Sequence, residues 1–254
     1  MSHQTSTPFP DGSTSDPTAA HKYRYSVVKG LFAQDEDDFV PTPDQIEPQL
    51  GLLDDAGRWP DVRAMNESAR DGVSFKLIIA GRHGQGFHNV AIQKYGEMTW
   101  GPDPLLTPIG LDQAKTAHEA WNLYRPPTPD ALFSSPFRRA LRTCEITFPG
   151  RRVKVLENIR EKLTGWTCDV RSPISTLLTS EFPLFDFSSY GALLIPDPCA
   201  DLRTETEAEA ADRARKALDY IFDNEGEAQD VEVVSITAHA GWMRALFDTV
   251  GRRR

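Results

Sequence analysis

The sequence predicts an α/β protein, a three-layer α/β/α sandwich around a mostly parallel central sheet. Two observations lead there. Short apolar runs such as "FKLIIA" (75–80) and "VEVVSIT" (231–237) suit strands covered on both faces. Segments of helical period lie between such runs, and strands alternating with helices favour parallel pairing. A chain of 254 residues is long enough to bury one such core.

The elements follow in order. Residues 1–21 are polar, rich in Ser, Thr and Pro, without periodicity, and read as a disordered tail. Residues 22–74 regain apolar residues among Pro and Asp breaks and read as an extension packed on the main domain, with a short helix near Trp59 to Ala69. The domain proper spans 75–254 and opens with "FKLIIA". "GLDQAKTAHEAWNLY" sets Leu111, Ala114, Ala117, Trp121 and Tyr124 on one helical stripe, and "TP" before it is a start signal. "ALFSS" reads as a strand, followed by a helix from about Pro136, and "RRVKVL" as a third strand.

From 161 to 200 four prolines, many serines and no long period suggest an irregular cap or loop insertion. "TETEAEAADRARKALDYIFDN" is a strong helix, with Thr204 and Glu207 or Thr206 and Glu209 as its capping box and Ala211, Ala214, Leu218, Ile221 and Phe222 as its buried stripe. "VEVVSIT" and "GWMRALFDTV" are the last strand and helix.

Composition removes several function classes. Hydrophobic residues make up 39% of the chain and mean hydropathy is -0.44, with no run of about 20 apolar residues. No membrane association is expected. The N-terminus has neither a basic nor an apolar signal region, so a cytoplasmic location is expected. Three cysteines, Cys144, Cys168 and Cys199, lack the C-x-x-C spacing of a zinc or redox site, so no metal is expected. The net charge of -9 is uneven: residues 1–74 hold 13 acidic and 6 basic side chains (net -7), and the remainder 24 and 22 (net -2). The later part therefore still suits an anionic small molecule, while no clustered basic face suggests a nucleic-acid partner.

Ligands of parallel sheets bind beyond the carboxyl ends of the strands, and His83 and His239 both fall there. "RHGQGFHN" follows the first strand. Its glycines permit close backbone approach, and its N–H groups suit an anion. It is neither a G-x-x-x-x-G-K-[ST] loop nor a G-x-G-x-x-G turn.

Taken with "SSPFRRALRT", "LENIREK" and "ITAHAGW", this loop gives a chain that resembles the histidine phosphatase superfamily, the phosphoglycerate mutase-like proteins. It is most similar to a fungal-type branch with an acidic N-terminal extension. The likeness runs from about Tyr23 to Val250 and includes "QDEDDF", "WGPDPLLTPIGLDQA" and "TCDVRSP".

The resemblance implies a cofactor-independent phosphatase acting on a small-molecule phosphate ester through a phosphohistidine. His83 would be the nucleophile. Arg82 and Arg139 would grip the transferring group, with His239 as imidazolium or neutral donor. Asn89, with the loop at Gly84 and Gln85, would bind the phosphoryl oxygens. The family's carboxylate falls best on Glu161 as proton donor, with Asp169 and Glu157 as alternatives. A mutase using the same phosphohistidine, or a binding protein that has lost turnover, remain the competing functions.

Each residue also has a plainer reading. Arg138 and Arg142 rival Arg139 on one helix. His239 can be a buried structural histidine, Asn89 a helix cap, Glu161 a solvated charge. His88 and the aromatic residues Phe87, Trp100 and Trp166 can be pocket walls, but packing suits them better. The chain stops at "TVGRRR", where relatives usually continue through a further strand, so an unpaired sheet rim of the kind that promotes a homodimer is expected.

Overall fold

A computed structural model describes residues 22–40, 46–96, 101–190, 197, 199, 201–223 and 231–251. The tail expected at 1–21 and the aromatic Trp100 lie outside them. Four strands, β1 (Leu77–Arg82), β2 (Ala131–Ser134), β3 (Lys154–Val155) and β4 (Val233–Ala238), pair in the order β1-β4-β2-β3. Every pairing is parallel.

The helices are α1 (Val62–Glu67), α2 (Phe87–Tyr95), α3 (Pro108–Tyr124), α4 (Arg138–Thr147), the single turn α5 (Ile174–Thr176), α6 (Glu207–Asp223) and α7 (Ala240–Thr249). Helices α3, α6 and α7 fall where expected, although α6 buries Ala210 and Ala217 in place of Ala211 and Phe222. Thr107 caps α3 by accepting from Gly110 N–H, with Pro108 at its first position. Of the two capping boxes proposed for α6, the structure uses Thr206 with Glu209. Glu207 instead pairs with Lys162.

The sheet's two faces carry separate cores, because side chains along a strand alternate. On one face Phe133, Val234, Ile236 and Ala238 meet Ala210, Ala214, Ala217, Leu218 and Ile221 of α6, and Trp242, Ala245 and Leu246 of α7. Three alanines on α6 let that helix lie close to its neighbours. On the other face Leu132, Val153 and Val155 meet Leu141, Cys144 and Phe148. Each wholly buried Leu or Ile in these layers contributes about 1.5–3 kcal/mol.

The run "RRVKVL" forms a strand of only two residues, since β2 offers just Phe133 and Ser134 as partners before it ends. The free side of β3 is taken up by the insertion: Val155 N–H donates to Asp186 O, and Asp186 N–H to Val153 O. Between 161 and 190 the chain runs as 3-10 turns, α5, and a π turn at Leu177–Glu181. Ile174, Leu177, Phe182, Phe185 and Phe187 anchor this irregular stretch in the second core.

At the opposite edge, the N-terminal extension lies against β1. Val62, Phe32 and Trp59 pack with Leu77 and Val233, and the Asn66 amide bonds both backbone groups of Phe75. The Tyr25 hydroxyl donates to Asp219 on α6. An extension with little regular structure is thus held by its aromatic residues.

A buried ion cluster ties the chain after β3 to the insertion. Arg160 donates to both carboxylate oxygens of Asp197, at 2.8 and 3.0 Å, and to Glu157 at 2.8 Å. Arg171 adds a second bond to Glu157 at 2.9 Å. Burial pushes the Asp197 carboxyl up, but the guanidinium outweighs it and holds the group below the usual carboxylate range. Removing one partner leaves the other buried and unpaired. Arg160→Met is therefore expected to cost about 3–5 kcal/mol in urea denaturation, and Arg160→Met with Asp197→Leu to recover most of it. A single variant as stable as the wild type would refute burial of the pair.

Candidate active site

The site forms where three parallel strands end. Arg82 is in register with Ala238, so the next residues, His83 and His239, emerge side by side, and His83 N–H donates to Ala238 O. Their ring centroids are 4.9 Å apart. Ser135, one residue beyond β2, donates its N–H to Thr237 O, and its hydroxyl meets His239 Nε2 at 2.7 Å.

His83 is buried, and its Nδ1 lies 2.6 Å from Gly84 O. A carbonyl only accepts, so Nδ1 carries the proton and the lone pair is on Nε2. Burial, reinforced by the Arg139 and Arg82 charges, holds the ring well below its ordinary pKa, and it is neutral. That combination is a nucleophile with a fixed tautomer.

The glycine loop is shaped by contacts inside the protein. A Cβ at Gly84 would stand 2.3 Å from Gly110 O, and one at Gly110 would stand 2.1 Å from Gln85 O. Only two glycines let the loop and the start of α3 touch. Gly84 N–H donates to Thr143 Oγ1 at 3.1 Å, and Gln85 N–H to Gln113 Oε1 at 2.7 Å. The Gln85 side chain accepts from Thr107. Both main-chain N–H groups thus donate within the fold.

Asn89 sits in the first turn of α2, where its Oδ1 accepts from Gly86 N–H at 2.8 Å. It is a helix cap, as the plainer reading had it. With the oxygen held there, the Nδ2 donors point away from the cap.

Of the three arginines on α4, two are turned to carboxylates elsewhere: Arg138 to Glu181 and Arg142 to Glu145. Arg139 is 1% exposed, packs over Phe137 and donates to Cys168 O at 3.1 Å, while its Nε has no partner. Burial lowers its pKa, and Asp103 pushes back. Arg82, at the end of β1, is exposed.

His239 is fully buried, with Nδ1 unpartnered. Burial and Arg139 hold it well below its ordinary pKa, which favours the neutral donor over the imidazolium.

Among the carboxylates, Glu157 is engaged by Arg160 and Arg171. Asp169 is buried and accepts from Thr164 N–H at 2.8 Å. Glu161 accepts through one oxygen, Oε1, from Lys162 N–H at 2.8 Å and from Trp242 N–H at 3.0 Å in the first turn of α7. Its Oε2 has no hydrogen-bond partner among the described residues. Burial raises its pKa against the pull of those N–H groups and Arg139. It thus combines an oxygen without a partner among the described residues with a raised pKa.

Three residues escaped the sequence reading. Asp103, buried in "GPDPLL", accepts from Arg138 N–H on α4 and from Ser172 N–H in the insertion, both at 2.9 Å. "P-D-P" reads as an ordinary turn. Ser135 and Thr143 stand inside "SSPFRRALRT" without any spacing that marks them. His88, expected to pack, is buried with its ring 5.6 Å from His83. Trp166 is 40% exposed, which corrects its assignment to core packing; Phe87 is half-buried. No group of three or more His, Cys, Asp or Glu among the described residues is arranged to hold a metal. No helix among them is long and apolar enough to cross a membrane.

A parallel sheet with two histidines at adjacent strand ends, both within the field of one buried arginine, suits an enzyme that acts on phosphate esters. The chain belongs to the histidine phosphatase superfamily, branch 1, whose family model matches residues 78–252. It is 30% identical to a protein of Arthroderma benhamiae named "Probable phosphoglycerate mutase", over 90% of this chain and 79% of that one. It is 27% identical to "Phosphomutase-like protein 3" of Candida albicans, over 91% and 75%. A solved phosphoserine phosphatase of Entamoeba histolytica aligns over 66% of this chain and 76% of its own, with 21% identity and a TM-score of 0.41.

The buried imidazoles make stability depend on pH. The unfolded chain protonates them below about 6.5, whereas burial keeps His83 and His239 neutral well below that and takes His88 down to about 3. The unfolded state then binds more protons, so stability falls as pH drops, by up to about 1.4 kcal/mol per pH unit for each ring. Urea midpoints should fall from pH 6.5 to 5, and His88→Phe should flatten that slope by one ring's share. An unchanged slope would mean that His88 titrates normally.

Proposed function

We propose that this protein hydrolyses a small-molecule phosphomonoester through a phosphohistidine on His83. The observation that carries the reading is the His83 tautomer: Gly84 O holds the proton on Nδ1, which leaves the Nε2 lone pair beside Arg139 and His239. The neutral imidazole attacks phosphorus at Nε2, and the bond to the ester oxygen breaks. Arg82, Arg139 and His239 donate to the phosphoryl oxygens as their charge is redistributed. Asn89 Nδ2 is a further donor to that group.

Glu161 gives its proton to the departing alkoxide. Its carboxylate then takes one from the water that attacks phosphorus, so phosphate leaves and the Nε2 lone pair is restored. A raised pKa suits a carboxyl that must be protonated for the first half and ionised for the second.

The names of the fungal relatives favour a second reading, a mutase that returns the phosphoryl group to an acceptor alcohol. Both share the first half-reaction. Acid-quenched labelling separates them, since a phosphoenzyme that decays in water as fast as with an acceptor alcohol is hydrolytic.

His83→Ala is expected to reduce release of phosphate from p-nitrophenyl phosphate by about 1,000-fold or more. Release that does not depend on His83 at any pH would sink both enzyme readings. Glu161→Gln should slow phosphoenzyme formation from alkyl phosphates by about 100-fold or more in single turnovers, yet spare formation from the aryl ester, whose phenolate leaves without a proton. Equal losses on both esters would make Glu161 a cap of α7 and nothing further.

A further inference from the structure

We propose that His88 is a direct ligand of the bound phosphoryl group, its Nε2–H donating to a non-bridging oxygen; this rests on the phosphate-ester reading of the same site. His88 is the second residue of α2, is 6% exposed, and holds its ring 5.6 Å from that of His83. Among the described residues neither of its ring nitrogens has a hydrogen-bond partner, and Nδ1 is shut off from solvent altogether.

The position of Nδ1 explains Gly86. A Cβ on that residue would stand 2.5 Å from Nδ1, so the glycine lets the imidazole fold back over the loop. It also fixes the proton. An N–H sealed against Gly86 without an acceptor is costlier than a sealed lone pair, so the hydrogen lies on Nε2. Nε2 then carries the N–H through which the ring can hydrogen-bond outward.

Two cations, Arg82 at the end of β1 and Arg139 on α4, act on this ring and, after burial, hold it neutral. It is therefore a donor with no proton to give away. In a pocket made for a dianion, that is a binding role, separate from the acid–base role of Glu161. A packing role would not call for imidazole: a phenyl or isobutyl group fills such a place without burying an unpaired nitrogen.

Inorganic phosphate is the probe, because its binding needs no turnover. Calorimetry on the full chain should show His88→Phe binding phosphate about tenfold or more weakly than wild type, the loss of one hydrogen bond to an anion. His88→Gln, which keeps an N–H donor of similar reach, should stay within about threefold. The same ratios should appear when phosphate inhibits His83-dependent p-nitrophenyl phosphate hydrolysis. Should the phenyl variant fold poorly, as a thermal melt would reveal, His88→Leu serves as the apolar replacement.

Apolar variants that bind phosphate like the wild type overturn the assignment and leave the hydrolytic reading intact. So does a His88→Gln variant as weak as the apolar ones, which would point to ring shape. Tight phosphate binding that depends on His88, without any His83-dependent release, supports the ligand and removes the enzyme reading.

Discussion

The parallel pairing of β1 with β4 is the constraint on which the rest of this structure depends. With Arg82 opposite Ala238, the residues that follow leave two adjacent strands at the same height, and His83 and His239 come within ring contact. A shift of one residue would turn a histidine to the other side of the sheet, because side chains alternate. β4 is wholly buried along its length and lies between β1 and β2. Its register is therefore fixed by packing from both helical layers, not by the pair of histidines it serves.

The site built on that register is dry and cationic, and these properties reinforce each other. Burial alone depresses the histidines, and the neighbouring guanidinium of Arg139 depresses them further. Neutral rings then leave the lone pair of His83 Nε2 available at ordinary pH. The arginine can stay buried because Phe137 lies under it, Cys168 O accepts from it, and Asp103, Glu161 and Asp169 balance its charge. An anion entering the pocket meets donors that have not been satisfied elsewhere. Arg139 Nε, His239 Nδ1 and His88 together have more hydrogen-bonding capacity than the fold itself uses.

Much of this was legible in the sequence, for identifiable reasons. β1 and β4 are apolar runs, and α3 and α6 carry clean helical stripes with caps, so local pattern and tertiary demand agree. The choice of Arg139 over Arg138 and Arg142 rests on the resemblance, whereas His83 and His239 could be placed because each stands one step beyond a strand. The functions of Gly84 and Gln85 could not, since whether an N–H is free depends on Thr143 and Gln113, which lie far along the chain. The short β3 was overestimated for a similar reason: its length is set by where β2 stops. Asp103 was invisible because a buried cap supplied from another segment leaves no mark on the helix it serves.

The irregular segment after β3 reaches the site by a route that tolerates sequence change. Arg213 donates to the carbonyls of Asn158, Arg160 and Glu161, Trp242 Nε1 donates to Asn158 O, and Arg160 donates to Asp169 O. Arg139 itself is anchored on Cys168 O. All of these acceptors are main-chain oxygens, which every residue type supplies. The path of the segment, and with it the placing of Glu161, is thus held in part by donors from α4, α6, α7 and Arg160 that need nothing of the acceptor's side chain. A loop with little regular structure is compatible with a precisely placed Glu161 because donors elsewhere in the fold, Arg139 and Arg213 among them, set its shape.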